Sequence, residues 1–319
     1  MNCPWCGSPT KITHTKQQNE GLIINRRREC INCNKRFSTK EFIKKMMLNT
    51  ESITKHIVTW LKNKIEGAHK KGFVVGVSGG IDSATVSTLC AKTGYPVMCL
   101  NMPIGKSYNH SLSNVQIEWL KKHYPNVSSD TIDLTETFNA FEKSLPELAS
   151  TEMAFVNTRS RLRMITLYAF SGSLDYLVAG TGNKVEDYGI GFFTKYGDGG
   201  VDVSPIGDLK KTEVYSIARF MEIPLQIQET TPTDGLWEDG RTDEDQIGAT
   251  YANLEWAMDY CDEWNINTWQ EYEVLKHKTM KISEIQEKIL YIYLCRHQNN
   301  RHKMEMPPVC HIENRKKLL

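Results

Sequence analysis

The string Gly76-Val77-Ser78-Gly79-Gly80-Ile81-Asp82-Ser83 stands where an apolar run, Phe73 to Val77, gives way to a helical pattern. These residue types at this spacing suit anion binding. Paired glycines let the backbone turn tightly and approach a ligand with no Cβ in the way. The first N–H groups of a helix lack intrahelical partners, and the helix dipole favours negative charge there. Ser78 and Ser83 add hydroxyl donors. Asp82 adds a carboxylate, a hard oxygen ligand suited to Mg2+ that bridges phosphates. The string lacks the lysine of a Walker A loop and the G-x-G-x-x-G of a dinucleotide loop. A purely structural strand–helix turn is the plainer alternative.

A second constellation lies at the amino terminus. Cys3-x-x-Cys6 and Cys30-x-x-Cys33 enclose a 23-residue spacer. Two such pairs at this separation are the spacing of a tetrahedral zinc site, and they predict a zinc ribbon. The other five cysteines, Cys90, Cys99, Cys261, Cys295 and Cys310, are scattered and read as free thiols. Residues 1–48 carry ten Lys and Arg against three Asp and Glu. A basic head of this kind suits phosphate, although an inert solvated module would look the same. Too few aliphatics are present there to build a core, so a bound metal would supply the folding free energy.

The elements that must position these groups follow from periodicity. Ile53, Ile57, Leu61 and Ile65 recur every four residues and predict a helix from Asn49 to His69. Expected strands are Phe73–Val77, Pro96–Leu100, Thr131–Leu134, Tyr176–Ala179 and Val203–Ile206. Expected helices are Ser83–Lys92, Ser111–His123, Glu136–Ser144, Glu152–Phe170 and Lys211–Met221, with further amphipathic helix beyond Glu244. This rhythm predicts an α/β fold, a doubly wound parallel sheet, whose ligands sit beyond the carboxyl ends of the strands. Gly189–Asp202 and Glu229–Asp243 resist assignment and read as functional loops. The domains expected are a zinc ribbon over 1–48 and the α/β body over 49–319. No run is apolar enough for a membrane span, and no secretory signal opens the chain, so a cytoplasmic location is expected.

The loop at Gly76–Ser83 resembles that of the ATP-pyrophosphatases, whose Rossmann-like fold is the adenine nucleotide alpha hydrolase type. Such enzymes transfer AMP to a substrate oxygen and release pyrophosphate. Three downstream strings narrow the likeness: Asn157 to Met164 with arginines at 159, 161 and 163, Gly180 to Glu186, and Gly191-Phe192-Phe193-Thr194-Lys195-Tyr196-Gly197-Asp198-Gly199-Gly200. Together they resemble the ammonia-dependent NAD synthetases over residues 50–312. That resemblance implies adenylation of the nicotinate carboxylate of deamido-NAD, then displacement of AMP by ammonia. It implies ATP contacts at Gly76, Val77, Ser78, Gly79, Gly80, Ile81, Asp82, Ser83, Thr181, Lys211 and Thr233. It implies Mg2+ on Asp82 and Glu186. Deamido-NAD contacts are implied at Arg161, Lys195, Asp202, His302 and Lys303, and Asp198 as the catalytic carboxylate near ammonia. A homodimer is implied as well. The chain departs from the family at Asn101, where a basic residue is common, over Ile104–Asn114, and at Gly235, where Ala is usual. The head is too short for a glutaminase module, so free ammonia or a separate donor is the expected nitrogen source.

The head also resembles a known module. Arg26-Arg27-Arg28-Glu29-Cys30 through Cys33 to Arg36-Phe37-Ser38-Thr39 is similar to the zinc ribbon of the repressor of ribonucleotide reductase genes, which implies possible DNA contact through Arg26 to Arg28. The alternative is a docking or stabilising appendage. For the whole chain the alternative function is a zinc-ribbon nucleic-acid-binding regulator or a tRNA-modifying ATP-pyrophosphatase. The latter needs grouped cysteines in the body, and the five there show no grouping. Trp237, Trp256, Trp264 and Trp269 read as core or interface aromatics.

Overall fold

The computed structural model describes residues 3–4, 6–18, 23–42, 49–105, 110–233, 242–277 and 281–312. The chain divides into two compact units, Met1–Asn49 and Thr50–Leu319.

In the first unit, strands β1 (Thr10–Gln18), β2 (Ile23–Cys30) and β3 (Arg36–Phe42) form an antiparallel sheet in that order. Thr10 pairs with Cys30 and Glu29 with Arg36. The two C-x-x-C turns have matching backbones. Gly7 N donates to Cys3 O at 2.9 Å, and Asn34 N donates to Cys30 O at 3.2 Å. The residue after each second cysteine is left-handed, Gly7 at φ 74° and Asn34 at φ 55°. Glycine and asparagine are the residues that enter that region at least cost.

The second unit opens with α1 (Thr50–Gly67), whose Ile57, Leu61 and Ile65 are buried at the expected period. Next come β4 (Phe73–Gly76), α2 (Ile81–Ala91), β5 (Val97–Asn101), α3 (His110–His123), β6 (Val127–Thr131), α4 (Thr135–Ser144), α5 (Glu152–Leu174) and β7 (Leu177–Val178). A π-helical turn, Lys184–Ile190, precedes α6 (Lys211–Phe220) and α7 (Leu225–Gln228). The remainder is α8 (Asp243–Ile247), α9 (Tyr251–Trp264), α10 (Trp269–Leu275) and α11 (Glu284–Met304).

The sheet is parallel, in the order β6-β5-β4-β7. Strands β5 and β6 extend it to one side of β4, and β7 returns to the other. Ligands bind at the carboxyl ends of strands where strand order reverses in this way. Helices α1, α2, α3, α6 and α7 pack among themselves as one layer, and α5 packs against β4 and β7 with α4 beside it. Every residue of α2 except Asp82 is buried. That is why its sequence shows little amphipathic pattern: a helix enclosed on all sides reads as uniformly apolar or small. A separate apolar cluster joins the π-helical turn to α9 and α11 through Val185, Ile190, Leu254, Met258, Leu290 and Leu294. Trp256, Trp264 and Trp269 pack against it, as core aromatics do; Trp237 lies outside the described residues.

Two strand expectations need correction. The third strand runs Val127–Thr131 rather than Thr131–Leu134. It is a sheet edge of sequence VSSDT, bonded on one side and largely open on its face, so it carries no apolar run to read. The expected fifth strand, Val203–Ile206, is a single bridge from Ala179 to Val203. Pro205 has no N–H with which to extend a ladder. The Glu229–Asp243 loop falls partly outside the described residues, as do the departures over 104–114 and at Gly235.

Asn126 ties the amino-terminal end of the sheet. Its Nδ2 donates to Ala91 O at 2.9 Å and Tyr95 O at 2.7 Å. Asn126→Ala leaves both carbonyls without this donor and should lower unfolding stability by about 1–3 kcal/mol. A denaturant titration with an unchanged midpoint would overturn that account.

Candidate active site

A cavity of about 270 Å3 opens at the carboxyl ends of β4, β5 and β7. Its wall includes Gly76, Val77, Ser78, Gly80, Ile81, Asp82 and Ser83 from the β4–α2 loop. Gly79 reverses the chain at φ 89°. Ser83 Oγ donates to Gly80 O at 3.0 Å and accepts from Ser78 N at 3.2 Å. These bonds shape the loop from within. No side chain caps the amino end of α2 at Gly80, so the helix end is left to a ligand, as in anion sites elsewhere.

Facing the loop is a buried ion triad. Lys211, at the start of α6 and 3% exposed, places Nζ 2.5 Å from Asp82 Oδ2 and 3.0 Å from Glu186 Oε1. The Tyr251 ring lies under the ammonium at 4.7 Å. Burial works against the Lys211 charge, but the two carboxylates outweigh it and hold its pKa above the ordinary lysine range. Burial also opposes the Glu186 charge. Lys211 and a 2.5 Å hydrogen bond from the Tyr251 hydroxyl prevail and hold its pKa below the usual value. Asp82 and Glu186 thus present two hard oxygen ligands beside the phosphate loop, a donor set that fits Mg2+.

Asp198 lines the same cavity. Its Oδ1 accepts from Ser160 Oγ at 2.7 Å and Thr194 N at 2.9 Å, while its own N–H donates to Ser160 Oγ at 2.9 Å. Burial pushes its pKa up despite these bonds. Asp187 lines the cavity too, and burial together with the Asp198, Glu186 and Asp82 carboxylates pushes its pKa well up.

Thr181, Glu186, Lys211 and Thr233 line the cavity, as does Asn101, whose Nδ2 donates to Asn114 Oδ1 at 3.2 Å. Arg161, Lys195, Asp202, His302 and Lys303 do not line it. Arg161 points both Nε and Nη2 at Lys195 O, each 3.4 Å away. Lys195 Nζ donates to the backbone oxygens of His302 and Glu305. Lys303 Nζ donates to Gly191 O at 2.5 Å and Phe193 O at 2.8 Å. Asp202 accepts from Val178 N at 2.8 Å and the Tyr168 hydroxyl at 3.0 Å. All but Asp202 therefore meet where α11 ends against the 191–195 loop; Asp202 holds the end of β7.

Sequence reasoning missed Ser160, Asn183, Asp187, Tyr251 and Arg163. Arg163 lines the cavity and its Nε donates to Met102 O at 3.0 Å. The i,i+4 pairing of Arg159 and Arg163 was the available signal; the pair divides, with Arg159 over the Phe138 ring at 4.7 Å.

In the first unit the thiol sulfurs of Cys3, Cys6, Cys30 and Cys33 all lie within 4.8 Å of one another. Cys3 and Cys33 are 3.6 Å apart, Cys6 and Cys30 3.4 Å. Tetrahedral zinc with Zn–S of about 2.3 Å sets its sulfurs about 3.8 Å apart. Backbone N–H groups of Cys33 and Asn32 point at Cys30 Sγ from 3.3 and 3.4 Å and lower its pKa. A backbone hydrogen bond from Ser8 lowers Cys6 to about 6. Cys33 is pushed the other way, up to about 12, by burial and the neighbouring sulfurs; it is the spacing of the four sulfurs that fits zinc.

An uncapped helix end and paired carboxylates at the switch point of a parallel sheet are the features of a nucleotide-dependent α/β enzyme. Residues 53–307 match the family described as NAD synthase. An NH(3)-dependent NAD(+) synthetase from Carboxydothermus hydrogenoformans is 41% identical over 213 residues, 66% of this chain and 86% of that protein. Its counterpart from Alkaliphilus oremlandii is 36% identical over 274 residues, 81% of this chain and 98% of that one. Among solved structures, NMN synthetase from Francisella tularensis superposes with a TM-score of 0.69 at 29% identity, covering 83% of this chain and all of that one (100%). The NH3-dependent NAD synthetase of Campylobacter jejuni gives 0.63 at 26%, with the same coverage. The chain belongs to the NAD synthase family and has NH3-dependent NAD+ synthetase activity. Residues 1–41 match the amino-terminal domain of the transcriptional repressor NrdR-like family, a zinc ribbon. Among the described residues no helix is long and apolar enough to cross a membrane.

Cys30→Ser removes a thiolate held by two N–H donors. Zinc content measured by atomic absorption should fall to near zero and residues 3–42 should lose amide protection. Full retention of zinc would contradict the four-cysteine assignment.

Proposed function

We propose that the chain adenylates the nicotinate carboxylate of deamido-NAD and then amidates it with ammonia, releasing pyrophosphate and AMP. The observation that carries this reading is that the phosphate loop, the Asp82–Lys211–Glu186 triad and Asp198 share one cavity. The ATP phosphates lie on the loop and the amino end of α2. Thr181 and Thr233 contact the nucleotide. Asp82 and Glu186 would hold Mg2+, which would supply charge neutralisation for a pyrophosphate leaving group. Lys211 supplies a fixed positive charge to the same phosphates. Asp198 faces the acyl carbon, binds the incoming ammonium and takes a proton from it, leaving ammonia as the nucleophile. The raised pKa of this carboxylate suits that transfer. Arg161, Lys195 and His302 form an exposed patch suited to the phosphates of the dinucleotide, with Lys303 and Asp202 beside the loops that carry it. A homodimer would set this patch against a second copy, as the family resemblance implies.

Zinc would close the ribbon, and the exposed Arg27 on β2 offers a cation for DNA phosphate, whereas Arg26 is half-buried and Arg28 is buried. A mobility shift with duplex DNA that weakens steeply between low and moderate salt supports that reading; absence of any shift at low salt removes it.

The activity test supplies ATP, Mg2+ and ammonium with deamido-NAD or with nicotinate mononucleotide, the latter because one structural relative is an NMN synthetase. NAD, AMP and pyrophosphate in equal amounts are expected from the dinucleotide. Preference for the mononucleotide would reassign the acceptor.

Asp198→Asn separates catalysis from folding. The amide keeps an oxygen for Ser160 and Thr194 but cannot take a proton, so ammonia-dependent turnover should fall by at least about 100-fold. The carboxyl's folded pKa stands above its unfolded value. Its contribution to stability therefore declines as pH rises from the unfolded to the folded pKa. The neutral amide lacks that decline, so thermal stability at neutral pH should hold or rise. A variant that loses stability at pH 7 but keeps turnover would refute the assignment.

A further inference from the structure

We propose that Asn183 is the positioning residue that couples the phosphate loop to the π-helical turn and sets the two carboxylates for the divalent cation. The inference rests on the reading of Asp82 and Glu186 as cation ligands.

Asn183 is fully buried, at 0% exposure. Its side-chain oxygen accepts from Val185 N at 3.1 Å and Glu186 N at 3.2 Å, capping the turn that carries Glu186. Its Nδ2 donates to Asp82 Oδ1 at 3.3 Å. One amide thus fixes the backbone of one carboxylate residue and the side chain of the other. Against burial, which raises it, the same group joins Lys211 and Tyr251 in lowering the pKa of Glu186.

The two holders of Asp82 differ in kind. Lys211 grips Oδ2 as a cation. A divalent cation on Asp82 and Glu186 repels that ammonium, which must yield ground as the metal enters. The Asn183 amide is neutral and sits on the other oxygen, so it holds the carboxylate's orientation through the exchange. Hydrogen bonds of this sort orient metal-binding carboxylates generally.

Capping alone does not require asparagine. Serine, threonine and aspartate cap through an oxygen acceptor equally well. Only the bond to Asp82 needs the amide donor, and this divides the two roles experimentally. Asn183→Ser and Asn183→Thr keep a capping acceptor and lose the donor; Asn183→Ala loses both.

The test measures Mn2+ affinity by electron paramagnetic resonance on the full chain with ATP and no acceptor, alongside melting temperature. The serine variant should melt close to the wild type yet bind Mn2+ about 10–100-fold more weakly, in the range that such supporting groups contribute. In turnover its KM for Mg·ATP should rise more than its kcat falls. The alanine variant should lose both stability and cation affinity. Wild-type Mn2+ affinity in the serine variant overturns the proposal. If serine melts as low as alanine, the threonine variant decides by the same titration. Asp82→Asn and Glu186→Gln separate the two failures. If neither weakens Mn2+ binding, the ligand reading itself is wrong; if both do and serine does not, only the role of Asn183 falls.

Discussion

The body of this protein is organised around a lysine buried between two carboxylates. Desolvating three charged groups costs several kcal/mol each, and attraction between them offsets this only when geometry is good and the remaining polar positions are bonded. Here the geometry recruits four separate parts of the chain. Asp82 comes from the start of α2, Glu186 from the π-helical turn, Lys211 from the start of α6, and Tyr251 from the start of α9. Each group sits at the first turn of its element, where backbone direction is fixed by a cap. Asn183, Thr250 and the Lys210–Glu213 capping box fix three of them. The amino end of α2 is the exception, with no side-chain cap, and an uncapped helix end suits an anion.

This arrangement explains what was legible in the sequence. The loop 76–83 was readable because strand, turn and buried helix must all be encoded within a dozen or so residues. Strands β4 and β5, enclosed on both faces, announced themselves by apolar runs; β6 did not, because an edge strand of serines and an aspartate has no such run. Glu186 and Lys211 were legible only through resemblance to the NAD synthetases. Nothing local marks a glutamate as paired with a lysine 25 residues on. Asn183 and Ser160 escaped for a related reason. Their work lies in hydrogen bonds to Asp82 and Asp198, 101 and 38 residues distant in sequence. A residue that acts on another across the fold leaves no periodic trace.

The ribbon obeys different physics. Its sheet is short of aliphatic side chains, and its order depends on four sulfurs brought together by two turns of the same backbone form. Here the chemistry was fully written in spacing, since C-x-x-C closes a turn whatever the neighbouring residues are. The body distributes its determinants across long separations; the ribbon concentrates them. That contrast is what two separately specified modules in one chain should show.

The lysines assigned by resemblance to substrate binding do structural work as well. Lys195 donates to the carbonyls at the end of α11, and Lys303, on α11, donates back to the carbonyls of Gly191 and Phe193. Each ammonium is thus oriented by neutral acceptors. Phosphate is the stronger acceptor, because hydrogen bonds between ionised partners are roughly twice as strong as neutral ones. Any anion that drew both lysines away would have to break both contacts, because each lysine spans the same gap between α11 and the 191–195 loop from the opposite side.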